Sequence, residues 1–143
     1  MKRAQRFNVL LYGHDAALIA WTEKQLGATI KVCQPTAIGV ARNGRIVAAA
    51  LFSNYQPPNI EITFVTTTPL WASKENVKAI LSYPFKQLGC KRITAITEEV
   101  NTAARAFMER LGFVHEGTHP DAFPSGAGIS YGLSAARAER WIK

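Results

Sequence analysis

The chain has 143 residues, 48% of them hydrophobic and 19% charged, the composition of an ordinary folded domain long enough to bury a core without disulfide or metal staples. No apolar run reaches the roughly 18 residues of a membrane span, so no membrane partner is expected. The net charge of +7 invites an anionic partner, but Lys2, Arg3, Arg6, Arg137, Arg140 and Lys143, offset by Glu139, supply five of those charges and leave residues 7–136 at +2. An excess at the two ends reads as solvated termini rather than a groove-length stripe, and nucleic acid is not the favoured partner.

The opening "MKRAQRFNVLLYG" is basic at its start, but its apolar part is short and no cleavage site follows. It reads as a first strand of a cytoplasmic protein rather than a signal peptide. "HDAALIAWTEKQLG" sets Ala17, Leu18, Trp21 and Leu26 at helical spacing and ends on Gly27. After a looser segment to Thr36, "AIGVARNGRIVAAALFSNY" predicts two strands joined at Asn43-Gly44, the strongest short hairpin signal. "PPN" breaks the chain before a further strand, "IEITFVTTT". "SKENVKAILSYPFKQLG" predicts a helix with Val77, Ile80 and Leu81 on one face, and Pro84, which lacks an N–H, should kink it or split off its last turn.

"KRITAIT" is a strand, and "NTAARAFMERLG" after it is a well-punctuated helix. Asn101 is its N-cap, Ala104, Phe107, Met108 and Leu111 form one apolar face, and Gly112 is the left-handed residue that ends it, with Phe113 folding back. "FVHEG" and "GISYGLS" are strands around a Pro- and Gly-containing loop over residues 118–127, and "AARAERWIK" is a terminal helix. The order β-α, β-β-β, α-β-α-β-β describes one α/β domain over residues 1–143, with a mixed sheet of six to seven strands covered by helices.

Cys33 and Cys90 form no disulfide framework, and with histidines scattered at positions 14, 115 and 119 no metal site is expected. No Ser-His-Asp or Cys-His arrangement stands at credible spacing. Glu98 and Glu99 are adjacent, so on a strand they point to opposite faces and make a poor acid/base pair.

The element order and residues 101–117, "NTAARAFMERLGFVHEG", resemble the GNAT N-acetyltransferase superfamily. That family carries N-x-x-A-x-x-hydrophobic-x-E-[KR]-L-G-F, often followed by E-G. Asn101, Ala104, Phe107, Glu109, Arg110, Leu111, Gly112, Phe113, Glu116 and Gly117 stand in those places. The resemblance covers residues 37–134, and the N-terminal part by element order. The "EG" ending is most like the branch that includes ribosomal-protein N-acetyltransferases, and "YPFKQLG" and the terminal "ERW" are similar to small bacteriophage-encoded members. It implies a GNAT-like fold that moves an acetyl group from acetyl-CoA to an amine. In the family's arrangement the helix from Asn101 flanks the CoA tail, with Asn101 and Ala104 near the pantetheine and Phe107 against the core. Taken singly, the same residues are a cap, a small packing position and a core aromatic.

Two departures from the family stand out. Its pyrophosphate loop, [RQ]-x-x-G-x-[GA], falls on Ala72, Glu75 and Val77 when Pro69 is set on the proline that often precedes it, and none matches. Helix N-terminal N–H groups survive such substitutions, and Ser73, Lys74, Asn76 and Lys78 offer further donors and charge, with Val77 in the last loop slot. Glu75 brings a negative charge towards that site, although an acid in a first turn also suits the helix dipole. The second departure is Met108, which stands where many relatives have the tyrosine that reprotonates the leaving thiolate, and methionine has no proton to give. Tyr131 is the substitute acid, its plainer reading being an aromatic packed in a strand.

Relatives often place a glutamate on the fourth strand to take the amine's proton. Glu61 is the only acid on "IEITFVTTT", on the face of Thr63 and Val65. A carboxyl buried on an apolar strand is pushed up towards neutrality, which suits a base, whereas a glutamate at a sheet edge faces water. Val65, Thr66 and Thr67 resemble the splayed strand end whose backbone pairs with pantetheine and polarises the carbonyl. The expected function is direct acetyl transfer in a ternary complex to a primary amine, a protein N-terminus or lysine favoured, rather than a covalent route through Cys33 or Cys90. The rival is a non-catalytic GNAT-like module contacting nucleic acid or another acidic partner through basic termini. Pairing of edge strands offers a route to a homodimer.

Overall fold

A computed structural model describes residues 8–31 and 35–143. Cys33 and the basic residues Lys2, Arg3 and Arg6 lie outside the described residues. Seven strands, β1 (Asn8–Tyr12), β2 (Thr36–Arg42), β3 (Arg45–Gln56), β4 (Asn59–Thr66), β5 (Arg92–Glu98), β6 (Val114–Phe123) and β7 (Gly126–Ser134), form one mixed sheet in the order β1-β2-β3-β4-β5-β7-β6. The helices are α1 (Asp15–Leu26), α2 (Lys74–Ser82), α3 (Thr102–Leu111) and α4 (Ala135–Ile142). No helix among the described residues is long and apolar enough to cross a membrane.

The residues group into two compact units that divide within β4. The first reaches to Asn54 and takes in Ile62–Ile80; the second comprises Tyr55–Glu61 and Leu81–Lys143. In the first unit, β1, β2 and β3 are an antiparallel meander. Asn43 and Gly44 make its two-residue turn with φ of 55° and 76°, the doubly left-handed geometry that this dipeptide favours. The helix α1 lies on β2, and its buried positions are Leu18 and Thr22. Ala17 is exposed and Leu26 is 50% exposed, so the inward face is shifted from that expected. A threonine can occupy it because its hydroxyl donates to the Leu18 carbonyl at 2.8 Å.

In the second unit β5, β7 and β6 are antiparallel neighbours, and β4 runs parallel to β5 over Asn59–Glu61 against Arg92–Thr94. Ile93, Ile129, Tyr131, Leu133 and Ala138 are buried in its core. Pro84 ends α2 as expected: regular helix stops at Ser82, and one wide turn, Tyr83–Gln87, carries the chain on. Residues 118–127 are not a loop. β6 continues to Phe123, leaving only Pro124 and Ser125 to turn into β7. Two bulges, at His115/Gly117 and His119/Phe123, absorb the irregular sequence. Gly128 makes the room, since a Cβ there would stand 2.9 Å from Phe123 Cε2 and 3.1 Å from Ala122 Cβ.

Candidate active site

In the first unit the end of β4 leads through a short turn, Pro69–Trp71, to the start of α2. Three threonines shape this passage. Thr67 N–H donates to Val47 O of β3 at 2.9 Å, and strand alternation therefore turns the N–H and C=O of Thr66 to the opposite edge of β4. The Thr66 hydroxyl donates to Thr68 O (2.7 Å), and Thr68 caps the short turn by accepting from Leu70 N–H (3.2 Å). Of Val65, Thr66 and Thr67, Thr66 is thus the residue whose main chain faces away from β3. Trp71 is buried, its ring 4.7 Å from that of Phe64.

At the start of α2, Ser73 accepts the Asn76 N–H on its Oγ (3.1 Å), and the buried Asn76 donates its amide to Trp71 O (2.7 Å). Val77 is buried and its N–H donates to Ser73 O, the first internal bond of the helix. Ser73, Asn76 and Val77 therefore build the turn, and their side chains are committed to it. The N–H groups of Lys74 and Glu75 are left without an acceptor among the described residues, at the positive end of a nine-residue helix. Lys74, Glu75 and Lys78 are all exposed around them.

The second unit holds the other expected residues. Asn101 caps α3, its Oδ1 accepting from Ala104 N–H at 3.1 Å. At the far end Gly112, with φ of 105°, donates to Glu109 O and Met108 O, and Phe113 N–H to Met108 O, the full left-handed stop that the sequence announced. Ala104 and Phe107 are half-buried, and the Arg110 guanidinium lies 5.8 Å from the Phe107 ring centroid. Glu61 pairs with Thr94 in the β4–β5 ladder and is exposed, so the burial considered from the strand pattern is not present.

Tyr131 is fully buried on β7, and its hydroxyl is engaged on both sides. It accepts from Arg105 Nε (3.1 Å) and donates to Glu109 Oε2 (3.0 Å). The Arg105–Tyr131 hydrogen bond, outweighing desolvation and helped by the attraction of Tyr131, Glu109 and Glu99, holds the Arg105 guanidinium above its usual range. The free hydroxyl expected of an acid is thus not what the structure places at Tyr131. Arg105 escaped the sequence reading and Glu109 entered it only as a motif position, although their four-residue spacing on α3 was the available signal. Burial pushes the Cys90 thiol up and away from the reactive thiolate.

A family model described as an acetyltransferase (GNAT) domain matches residues 12–114. The chain belongs to the GNAT acetyltransferase family. It is accordingly an acyltransferase, with acetyl-CoA as the acetyl donor of this family. No curated protein matches the chain in sequence. Among solved structures it is similar to mutant forms of the spermidine/spermine N-acetyltransferase SpeG from Vibrio cholerae, at 12% identity and a TM-score of 0.72 over 95% of this chain and 98% of that one. It is also similar to the ribosomal-protein-S5-alanine acetyltransferase of Vibrio fischeri (15% identity, TM-score 0.62, 84% and 69% coverage). A third likeness is to yncA of Salmonella typhimurium, solved with acetyl-CoA (15%, 0.63, 89% and 93%). At these identities the likeness is one of fold.

The start of α2 thus presents main-chain N–H donors without the glycines of the family's loop, in a stretch that carries Lys74 and Lys78 but also the acidic Glu75.

Proposed function

We propose that this GNAT protein transfers acetyl from acetyl-CoA to a primary amine by direct attack, with a protein N-terminus or lysine as the favoured acceptor. The observation that carries the reading is the pair of N–H groups at Lys74 and Glu75, presented at the start of α2 with two lysines nearby. They are the donors for the pyrophosphate, and the outward main chain of Thr66 pairs with the pantetheine. Asn101 and Ala104 flank the CoA tail. Glu61 takes the ammonium proton of the acceptor, directly or through one water; the free amine then attacks the thioester carbonyl, and as the carbon–sulfur bond breaks the nitrogen sheds its second proton to water. Its exposure suits an amine carried on a large substrate. With Met108 unable to donate and the Tyr131 hydroxyl held by Glu109, water returns the proton to the leaving sulfur. The "EG" ending, most like the branch that includes ribosomal-protein N-acetyltransferases, supports a protein acceptor over a free polyamine.

Calorimetry with acetyl-CoA, desulfo-CoA and ATP tests the donor half. Micromolar binding selective for the CoA body is expected, and no binding at millimolar ligand would remove the reading in favour of a binding module. Mass spectrometry of protein, peptide and spermidine acceptors tests the other half; acetylation of spermidine alone would overturn the proposed acceptor. Glu75→Gln is expected to tighten CoA binding a few-fold, because it removes a like charge at the helix N-terminus, an effect that should shrink in high salt. Asn101→Ala should weaken CoA binding and also cost about 1 kcal/mol of stability through the lost cap, so a thermal melt must accompany the titration.

A further inference from the structure

We infer that Tyr131 and Arg105 act together as positioning residues that hold the N-terminal turn of α3, the part carrying Asn101 and Ala104, in its ligand-ready form. The inference rests on the proposed role of that turn in binding CoA, and it gives the tyrosine a task other than proton donation.

The bonding runs as a closed strap on one strand. Near the start of β7, Ala127 O accepts the Glu99 N–H at 2.9 Å. Glu99 O accepts Arg105 Nη1 at 3.1 Å, and Arg105 Nε donates to Tyr131 Oη at 3.1 Å, which returns the path to β7 four residues further on. Residues 99–105 are thus tied to β7 at both ends. Inside the loop so formed, Asn101 O accepts the Arg105 N–H (3.1 Å) and Asn101 Oδ1 the Ala104 N–H (3.1 Å). A guanidinium suits this place because its planar fork presents two N–H groups in fixed directions, one for a carbonyl and one for a phenol oxygen. The phenol O–H in turn donates a hydrogen bond to Glu109, one helical turn beyond Arg105, which ties a second point of α3 to the sheet. Tyr131 sits on the buried face of β7 beside Ala95, so the anchor point lies in the core while the parts it holds reach solvent.

Tyr131→Phe, Arg105→Gln and the double variant test this on the whole chain. Either single change is expected to raise KM for acetyl-CoA about tenfold with kcat little altered, the mark of lost binding rather than lost chemistry. Because both changes cut the shared Arg105–Tyr131 bond, the double variant should lose clearly less than the sum of the two single losses. Amide exchange of residues 99–105 in the unliganded protein should quicken in each variant while the rest of the core keeps its protection. Unchanged exchange there would overturn the positioning role, and it does so even if the wild-type chain binds no CoA. A fall in kcat at constant KM, confined to Tyr131→Phe and absent from Arg105→Gln, would make the tyrosine a proton donor instead.

Discussion

Glu61→Gln is expected to lower kcat by about 10² or more while leaving CoA affinity in place, the range a positioned general base contributes. The change keeps size and shape and removes the negative charge together with the capacity to take up a proton. Because Glu61 is exposed and its main chain stays in the ladder against Thr94, the melting temperature should move little. A titration with CoA, a melt and initial rates therefore separate chemistry from binding and folding. The variant also reports on the acceptor. Without the base, only amine already deprotonated can attack, so the residual rate should climb with pH and level off at the pKa of the acceptor. That is near 8 for a protein α-amine but about 10.4 for lysine. A rate equal to wild type at neutral pH would remove Glu61 as the base.

What could be read from the chain beforehand was whatever is settled within about four residues. Asn101, Gly112 and Phe113 make their capping bonds to groups three to five positions away, and Asn43-Gly44 closes its own turn, so sequence patterns announce them. The strap at Tyr131 is different in kind. It exists because β7 enters the sheet between β5 and β6, a placement that brings Tyr131 to residues of α3 22 and 26 positions earlier. Buried polar residues misled for a related reason. Asn76 looked like a ligand donor and Thr22 was not counted on the inward face of its helix, yet each is buried with its polar group spent on a main-chain carbonyl within five residues. The long hairpin was hidden by Pro120 and Asp121, residues that ordinarily mark loops; Asp121 sits at φ 57°, between the two paired ends of a bulge. That helix N-terminal N–H groups would be on offer near residue 73 was legible too, but which of them stay unused depends on the bonds that Ser73 and Asn76 make.

Leu18→Ala is expected to cost about 2–5 kcal/mol of stability, and its effect should depend on Gly39. Leu18 is fully buried and packs with Ala37, Ala49 and Leu51 in the core of the first unit. Its side chain presses directly on the backbone of β2, where a Cβ built on Gly39 would lie 2.4 Å from Leu18 Cδ2 and 3.0 Å from Cδ1. The backbone angle at Gly39 is one that any residue adopts, so glycine is required there for space alone. Gly39→Ala by itself should therefore cost about 1–3 kcal/mol through overpacking, since the methyl meets a side chain with nowhere to go. Gly132→Ala is the control. Its Cβ would also collide, with Arg92 Nη2 and Glu116 Oε2, but these are the ends of a half-exposed ion pair that can swing into solvent at about 1 kcal/mol or less. In the double variant Leu18→Ala/Gly39→Ala the added methyl occupies part of the cavity left by the leucine. The two losses should then sum to clearly less than the separate values, a coupling that denaturant unfolding of the four proteins would measure. Strict additivity would mean that α1 is held on β2 by other contacts and that the Leu18–Gly39 fit is incidental.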